Sequence, residues 1–347
     1  MGAGPLVVTY PLSGRSRAIV EEELDGVAEA VYLVDLLPAA RAHALERAGA
    51  VLSHDISKEL RPDEIPLIRN ARLLQFTAAG VDWVPTRDLP WELPVAANKG
   101  GGAEPMSEHI VALALAAAKR LFIEHAHLKS GEFHQGSANR ILRGGVCGIL
   151  GFGNVGVATA RLMRAFGMRI HAINRRGASD EPTDWIATTD LLDEMLRVTD
   201  VLVISAALTT ATEGLIGARE LGLMKENAIL INVARGEIID EGALYAHLVS
   251  HPHFFAGIDA WWVEPVGHGQ FTMGHPFLDL PNVIGSPHNS AGGGAWRDEY
   301  LRRAVQNCRR ARLGETPWNL SDPTSGCSNP HSPDVAPNLR TLAAVRG

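Results

Sequence analysis

Three residues of reactive type fall at comparable places in the chain. Arg235 sits in Asn232-Val-Ala-Arg-Gly, Glu264 in Trp261-Trp-Val-Glu-Pro and His288 in Ser286-Pro-His-Asn-Ser. Each follows an apolar run that reads as a strand, at 228–232, 256–260 and 283–286 respectively. Arginine can grip a carboxylate with two parallel hydrogen bonds and polarise a neighbouring carbonyl. Histidine can deliver a proton to a carbonyl oxygen, or remove one in reverse. A carboxylate beside that histidine favours the imidazolium and fixes the ring. Reduction by such a pair should persist at low pH and fall as pH rises and the acid is lost. Any one of these residues alone is unremarkable, since an arginine in a loop is usually a surface charge, a glutamate before proline a turn residue, and with 14 histidines any single one is more often structural. Joint placement at three strand ends is what points to chemistry.

A second pattern precedes them. Gly151-Phe152-Gly153-Asn154-Val155-Gly156 follows the apolar run 146–150 directly and opens a helical stretch, 157–166. Strand, glycine loop and helix in that order are the context a dinucleotide loop requires. The first glycine permits a tight turn, the second lets backbone approach a pyrophosphate, the third lets helix and strand pack closely, and the helix N-terminus adds partial positive charge. With 35 glycines in the chain a bare match would carry little weight, so the flanking pattern decides. The next strand, 169–173, ends in Asn174-Arg175-Arg176. An acidic residue about 20 positions beyond the loop favours NAD. Here it is absent, and two guanidiniums stand where a 2′-phosphate could lie. The expectation is NADP as preferred cofactor, with NAD still possible if Asn174 binds the ribose and the arginines are merely solvated.

These residues need a scaffold. Strand-like runs at 6–10, 31–35, 50–53, 73–77 and 94–98, with a helical stretch at 39–48 between them, imply parallel βαβ units. A long alanine-rich helical stretch at 104–129 follows, with Pro105 suited to a first turn and apolar residues on more than one side; it reads as a bridge between domains. A second βαβ series has strands at 146–150, 169–173, 201–205, 228–232, 256–260 and 283–286. A last helix over 294–312 is expected to cross back and complete the first unit. The fold class is therefore α/β with two doubly wound parallel sheets. A Rossmann cofactor domain (98–292) is inserted in a flavodoxin-like substrate domain (1–97 and 293–320), and an extended or disordered tail follows (321–347). At 347 residues two domains are the natural division. A net charge of −7 argues against a nucleic-acid partner. Cys147, Cys308 and Cys327 are too few and too scattered for a disulfide framework or zinc site. No signal peptide is read at 1–14, and the longest apolar run, 110–118, is too short to span a membrane, so a cytoplasmic location is expected.

From about residue 73 to 314 the chain closely resembles the D-isomer-specific 2-hydroxyacid dehydrogenase family, in particular its glyoxylate/hydroxypyruvate reductase-like members. The most specific stretch is Leu230-Ile-Asn-Val-Ala-Arg-Gly-Glu-Ile-Ile-Asp-Glu-Gly-Ala-Leu. The resemblance implies that Arg235, Glu264 and His288 are catalytic, with Arg235 binding the substrate carboxylate and His288–Glu264 relaying the proton. It implies that Asp259 holds the nicotinamide carboxamide, and that Ala79 and Gly80, in Thr77-Ala-Ala-Gly-Val-Asp82, meet the carboxylate through backbone N–H groups. Ala207, Thr212, Val233, Ala234 and His288 join the glycine loop and residues 174–176 as expected cofactor contacts. A homodimer through the cofactor domains is implied, acting on a small 2-keto or 2-hydroxy acid. Three departures stand out. The segment 98–108 is one residue shorter than the common pattern, Ala207 replaces a usual proline, and a glycine- and histidine-rich loop at 266–275, with Trp261 and Trp262, could shape or close the pocket. Ser53 and His54 are further candidates to line it.

Other readings are a formate- or phosphite-type dehydrogenase, whose relatives typically carry glutamine at the place of Glu264, and an NADP(H)-sensing module with little turnover. A catalytic metal is not expected. The rings of His125 and His127 point apart at i and i+2 on a helix, His251 and His253 flank a proline, and no carboxylate or cysteine cluster is seen to complete either pair.

Overall fold

The computed structural model describes residues 4–81, 89–90, 92–292 and 296–320. Among them the chain forms two parallel sheets. The first comprises β1 (Leu6–Val8), β2 (Ala30–Tyr32), β3 (Ala50–Ser53), β4 (Leu74–Phe76) and β5 (Val95–Ala96), in the order β2-β1-β3-β4-β5. This is the flavodoxin-like order. The second comprises β6 (Val146–Leu150), β7 (Arg169–Ile173), β8 (Trp185–Ala187), β9 (Val201–Ile204), β10 (Ile229–Asn232), β11 (Phe255–Ile258) and β12 (Val283–Gly285). Its order, β12-β11-β10-β9-β6-β7-β8, is the Rossmann arrangement extended by one parallel strand.

Parallel strands covered on both faces should be apolar without alternation, and β6, β9, β10 and β11 are buried at every position. On one face Leu202, Ile204, Leu230 and Ile258 pack with the helices Leu192–Val198 and Glu241–Ser250. On the other, Ile149, Val203 and Ile231 meet the helices Ala103–Ala118 and Asn154–Ala165. The small side chains of Ala114, Ala117 and Ala118 let the first of these lie close to the sheet.

The C-terminal helix, Trp296–Leu313, returns to the first sheet. It packs on the helix Gly14–Leu24 and across β3 and β4. Leu301, Ala304, Val305, Cys308 and Ala311 form its buried stripe at helical spacing. The two chain crossings between the sheets are tied together. The Asn98 amide donates to the Tyr300 carbonyl at 2.8 Å, and the Trp296 indole N–H to the Gly101 carbonyl at 2.6 Å. The thiols of Cys147 and Cys308 are fully buried, and burial pushes that of Cys147 up to about 12, far from a reactive thiolate.

Several elements differ from the sequence reading. The stretch 104–129 is two helices, Ala103–Ala118 and Leu121–Lys129, because Arg120 takes a left-handed backbone (φ 53°) that ends the first helix. The expected strand 31–35 is β2 followed by a 3₁₀ turn, Leu33–Asp35, with Asp35 held bidentately by Arg17. The helix Gly14–Leu24 and the edge strand β8 were not read from the sequence at all. The first carries only three fully buried residues and the second is three residues long, too short for periodicity to register. Residues 321–347, with Cys327, and the 294–295 start of the expected last helix lie outside the described residues.

Candidate active site

The glycine loop lies between β6 and the helix Asn154–Ala165, beside the end of β9. Between β6 and β9 the strand order reverses, and ligands of open α/β sheets bind outside the strand ends at that point. The three glycines differ in what surrounds them. Gly151 has φ 100°, and a Cβ there would lie 2.3 Å from the Ala206 backbone nitrogen. A Cβ on Gly156 would lie 2.7 Å from the Gly151 carbonyl oxygen. A Cβ on Gly153 would meet no protein atom within 4 Å. Two glycines therefore serve backbone packing, and the third keeps the outer side of the loop clear. The helix that follows has no side-chain N-cap and no acidic residue in its first turn, so its N–H groups are available to an anion. Phe152 is buried beneath the loop. These features fit a dinucleotide.

Beyond β7, the Asn174 backbone N–H donates to Ala187, its side-chain amide donates to the Ala178 carbonyl, and its Oδ1 accepts the Arg176 N–H at 3.0 Å. Arg175 and Arg176 are exposed. Among the described residues no carboxylate lies within ion-pairing distance of either, and the nearby Glu181 is taken by Arg161 and Arg164. Ala207 is exposed after β9, and its carbonyl accepts the Thr212 hydroxyl at 2.8 Å. The Val233 and Ala234 side chains are buried, which leaves only their backbone to face a ligand.

β10, β11 and β12 are neighbours in register, so the segments that leave their C-terminal ends emerge side by side. Arg235 leaves β10, Asp259 and Glu264 leave β11, and His288 leaves β12. The Asn232 side chain braces the first of these turns, donating to the Arg235 carbonyl and accepting the Ala234 N–H. The Arg235 guanidinium reaches the Ala234 carbonyl at 2.7 Å. His288 Nδ1 and Glu264 Oε2 are 2.7 Å apart. Glu264 Oε1 accepts the Trp261 backbone N–H at 2.7 Å, so the carboxylate is fixed from both sides. His288 has φ 49°, a conformation that costs a non-glycine residue roughly 1–3 kcal/mol. It is held there by its own N–H to the Asp259 carbonyl and by the buried Asp259 carboxylate, which accepts from Ser286 Oγ (2.6 Å), the Asn289 N–H (3.1 Å) and the Ser290 N–H (3.2 Å). Such over-determined strain is common where a side chain must be aimed.

One residue of this network escaped the sequence reading. His109, on the helix Ala103–Ala118, approaches Ser286 Oγ at 2.9 Å and Asp259 at 3.7 Å. It lies far from them in sequence, and an amphipathic helix offers no local signal for such a contact. The two tryptophans are not placed to close the pocket. Trp261 is almost fully buried with its indole N–H on the Ser286 carbonyl, and Trp262 stacks on Phe277 with its N–H on the Ile239 carbonyl. A buried indole seeks a partner for its N–H, and both partners lie in the sheet domain, so these rings are fixed packing elements, not covers. The 266–275 loop is anchored at its C-terminal end, through Gly274 N–H to Glu241 and a His275–Tyr245 ring stack.

From the first sheet, Ala79 and Gly80 follow β4 and are half-buried, while Asp82 lies outside the described residues. The Tyr300 phenolic oxygen lies near the Ala79 backbone. His54 Nδ1 meets Thr77 Oγ1 at 3.0 Å, and the Ser53 hydroxyl is turned onto Glu59 at 2.7 Å, so Ser53 is committed inward. Among the histidine pairs noted in the sequence, His127 associates with His134 and Glu124 instead of His125, and His251 stacks on His247. A carboxylate therefore does stand beside His127, contrary to the sequence reading. Sequence spacing along one helix had concealed a partner that a turn brings back.

Over residues 111–290, just over half its length, the chain matches the family described as D-isomer specific 2-hydroxyacid dehydrogenase, NAD binding domain. The chain belongs to this family. It is a nicotinamide-dependent oxidoreductase of the 2-hydroxyacid class. It is 35% identical over 225 residues to the glyoxylate/hydroxypyruvate reductase B of Pectobacterium carotovorum, covering 63% of this chain and 69% of that one. Among solved structures it superposes with a TM-score of 0.76 on a candidate formate dehydrogenase from Pyrobaculum aerophilum, at 26% identity over 92% of this chain and 98% of that one. A D-isomer specific 2-hydroxyacid dehydrogenase from Xanthobacter autotrophicus, solved with NADPH and MES, matches in fold with a TM-score of 0.75 at 23% identity, covering 92% of this chain and 98% of that one. Among the described residues no helix is long and apolar enough to cross a membrane.

Proposed function

We propose that the protein reduces a small 2-keto acid to the D-2-hydroxy acid, with NADPH as preferred donor. The observation that carries this reading is the His288–Glu264 pair, 2.7 Å apart at the strand ends beside the glycine loop. The bound nicotinamide supplies the hydride. Arg235 grips the substrate carboxylate, assisted by the backbone N–H groups of Ala79 and Gly80. Substrate held this way presents its carbonyl oxygen to the His288 ring nitrogen opposite Nδ1, which donates the proton. Glu264 holds Nδ1–H and fixes the ring so that its other nitrogen faces the carbonyl oxygen. Asp259 keeps the 286–290 segment in its strained form and holds the nicotinamide carboxamide. Gly151, Gly153 and Gly156 with the following helix cradle the pyrophosphate. Asn174, Arg175 and Arg176 receive the ribose and its 2′-phosphate, and Ala207, Thr212, Val233 and Ala234 line the remaining length.

The first sheet with the C-terminal helix forms the substrate half, and the crossings near 97–98 and before 293 form the hinge. Exposed Leu121, Phe122, Leu128, Phe133 and Ile141 lie within a short stretch of the cofactor half. An apolar run of this kind favours a homodimer through that half. The cytoplasm is the expected compartment.

The test is oxidation of NADPH or NADH followed with glyoxylate, hydroxypyruvate and larger 2-keto acids, with formate and NADP⁺ as a further arm. Faster turnover of NADPH with a keto acid is the expected result. Turnover with NADH alone removes the cofactor preference but keeps the reaction. Oxidation of formate without keto-acid reduction would overturn the reaction itself.

A further inference from the structure

The helix Leu121–Lys129 takes no part in the reaction proposed above, yet it carries a preorganised group of metal-binding side chains. Glu124 and His127 share one face at i and i+3. The helix ends in a Schellman turn: Gly131 has φ 85°, its N–H donates to the Leu128 carbonyl, and the Glu132 N–H donates to the His127 carbonyl. That turn folds the following residues back over the helix and sets His134 against His127. Their Nδ1 atoms are 3.0 Å apart and their rings meet edge to face with centroids 4.4 Å apart. The His134 carbonyl is anchored by the Ser137 N–H and hydroxyl. Glu124 Oε2 lies 3.6 Å from His127 Nδ1. Arg120 donates to the other oxygen, Oε1, at 3.3 Å, and the Ser137 hydroxyl also bears on this carboxylate.

Two imidazole nitrogens facing each other at this distance can share one proton, or both can present lone pairs to a cation. Glu132 bears on the choice. Its carboxylate is 3.3 Å from His134 Nε2. Accepting the Nε2–H leaves Nδ1 of that ring as a lone pair, the second-sphere arrangement found behind most metal-bound histidines. Tetrahedral zinc with Zn–N bonds of about 2.0–2.1 Å separates two ligand nitrogens by about 3.3–3.4 Å, a few tenths of an ångström from the spacing here. One donor atom from each of Glu124, His127 and His134 lies within 4.8 Å of the others.

We propose that Glu124, His127 and His134 form a non-catalytic site for one divalent transition-metal ion, zinc by its ligand chemistry, beside the apolar stretch proposed above for the dimer, with Glu132 orienting His134 and a fourth position open to water. Two imidazoles and one carboxylate suit zinc and exclude magnesium and calcium, which take oxygen ligands. The bound ion clips the 130–137 turn onto the helix. Arg120 opposes the ion's charge, and Glu124 and Glu132 offset it.

The experiment is a calorimetric zinc titration of the untagged full chain after chelator treatment, repeated with magnesium. The expected result is one equivalent of zinc bound, no magnesium bound, and zinc affinity falling as pH is lowered because protons compete for the imidazoles. Other histidines could bind zinc weakly, so the H127A/H134A chain defines the background. In that chain the stoichiometric step should vanish while keto-acid reduction continues at the wild-type rate, which also reports that the chain is folded. Glu132→Gln should keep the site but weaken it by about 10–100-fold. A wild-type titration indistinguishable from that of the H127A/H134A chain overturns the proposal. So does a zinc affinity that Glu132→Gln leaves unchanged.

Discussion

The two sheets follow the same doubly wound plan, yet their C-terminal ends are finished differently. At the end of the first sheet the polar groups turn on one another. Glu59 accepts from Ser53 Oγ (2.7 Å), Thr9 Oγ1 (2.5 Å) and the His54 and Asp55 N–H groups (3.2 and 2.7 Å), while His54 engages Thr77. Burial and the Glu59 charge together push the Tyr10 hydroxyl well above its usual range. At the end of the second sheet the glycine loop leaves its outer side clear, and His288, Glu264 and Arg235 are aimed by backbone and carboxylate contacts. A knot of satisfied polar groups gives a firm wall, whereas side chains braced from behind keep their functional atoms for a ligand. The contrast assigns chemistry to the second sheet and shape to the first.

Four measurements test the difference between the two sheets. The largest effect is expected from His288→Ala, which should lower kcat for keto-acid reduction by about 10²–10⁴-fold, the usual contribution of a positioned general acid. A loss below tenfold would move the proton donor elsewhere. On the first-sheet side, Glu64 is buried between Arg41 and Arg61, and the Arg41 guanidinium above all holds its carboxyl down at about 2. A carboxyl depressed in the folded state stabilises fully above its unfolded value, near 4.3, and that contribution is lost as pH falls toward the folded value. Glu64→Gln should therefore cost about 2–3 kcal/mol at pH 7, with the gap from wild type shrinking between pH 4 and about 2 in urea melts while kcat is preserved. A gap that does not change with pH would assign the loss to packing.

A smaller change is expected at the cofactor's far end. Arg175→Ala with Arg176→Ala should reduce the NADPH-to-NADH ratio of kcat/KM by about 10–100-fold, since a charge-assisted hydrogen bond is worth about 1.5–3 kcal/mol. An unaltered ratio would make both arginines solvated surface charges. The subtlest test compares two glycines of one loop. Gly153→Ala should weaken NADPH binding about tenfold, or roughly 1.4 kcal/mol, and leave Tm unaltered, because its Cβ meets no protein atom. Gly151→Ala should lower Tm instead, because its φ of 100° and the nearby Ala206 backbone admit no side chain. Equal Tm losses in the two variants would remove the distinction between a packing glycine and a ligand glycine.

Much of the architecture was legible from the sequence because parallel strands buried on both faces leave unbroken apolar runs, as at 146–150 and 228–232, and because a glycine loop between strand and helix is a local signature. Arg235, Glu264 and His288 were legible for a related reason: each lies just beyond such a run, and a parallel sheet brings all those ends to one side. What lacked a local pattern stayed hidden. The left-handed Arg120 splits a stretch whose composition is helical throughout, β8 is too short to show periodicity, and Trp261 and Trp262 look like loop covers until their indole N–H groups are seen tied to Ser286 and Ile239. Residue type and short-range order were enough for the two parallel sheets, the glycine loop between strand and helix, and the placement of Arg235, Glu264 and His288 just beyond three neighbouring strands. Three-dimensional packing was needed for the 2.7 Å geometry of the expected His288–Glu264 pair, for the approach of His109 to Asp259, and for the return of His134 to His127. Those pairings join residues from separate elements, and their distances are fixed by strand register, helix packing and one left-handed glycine turn, none of which is carried by local sequence pattern.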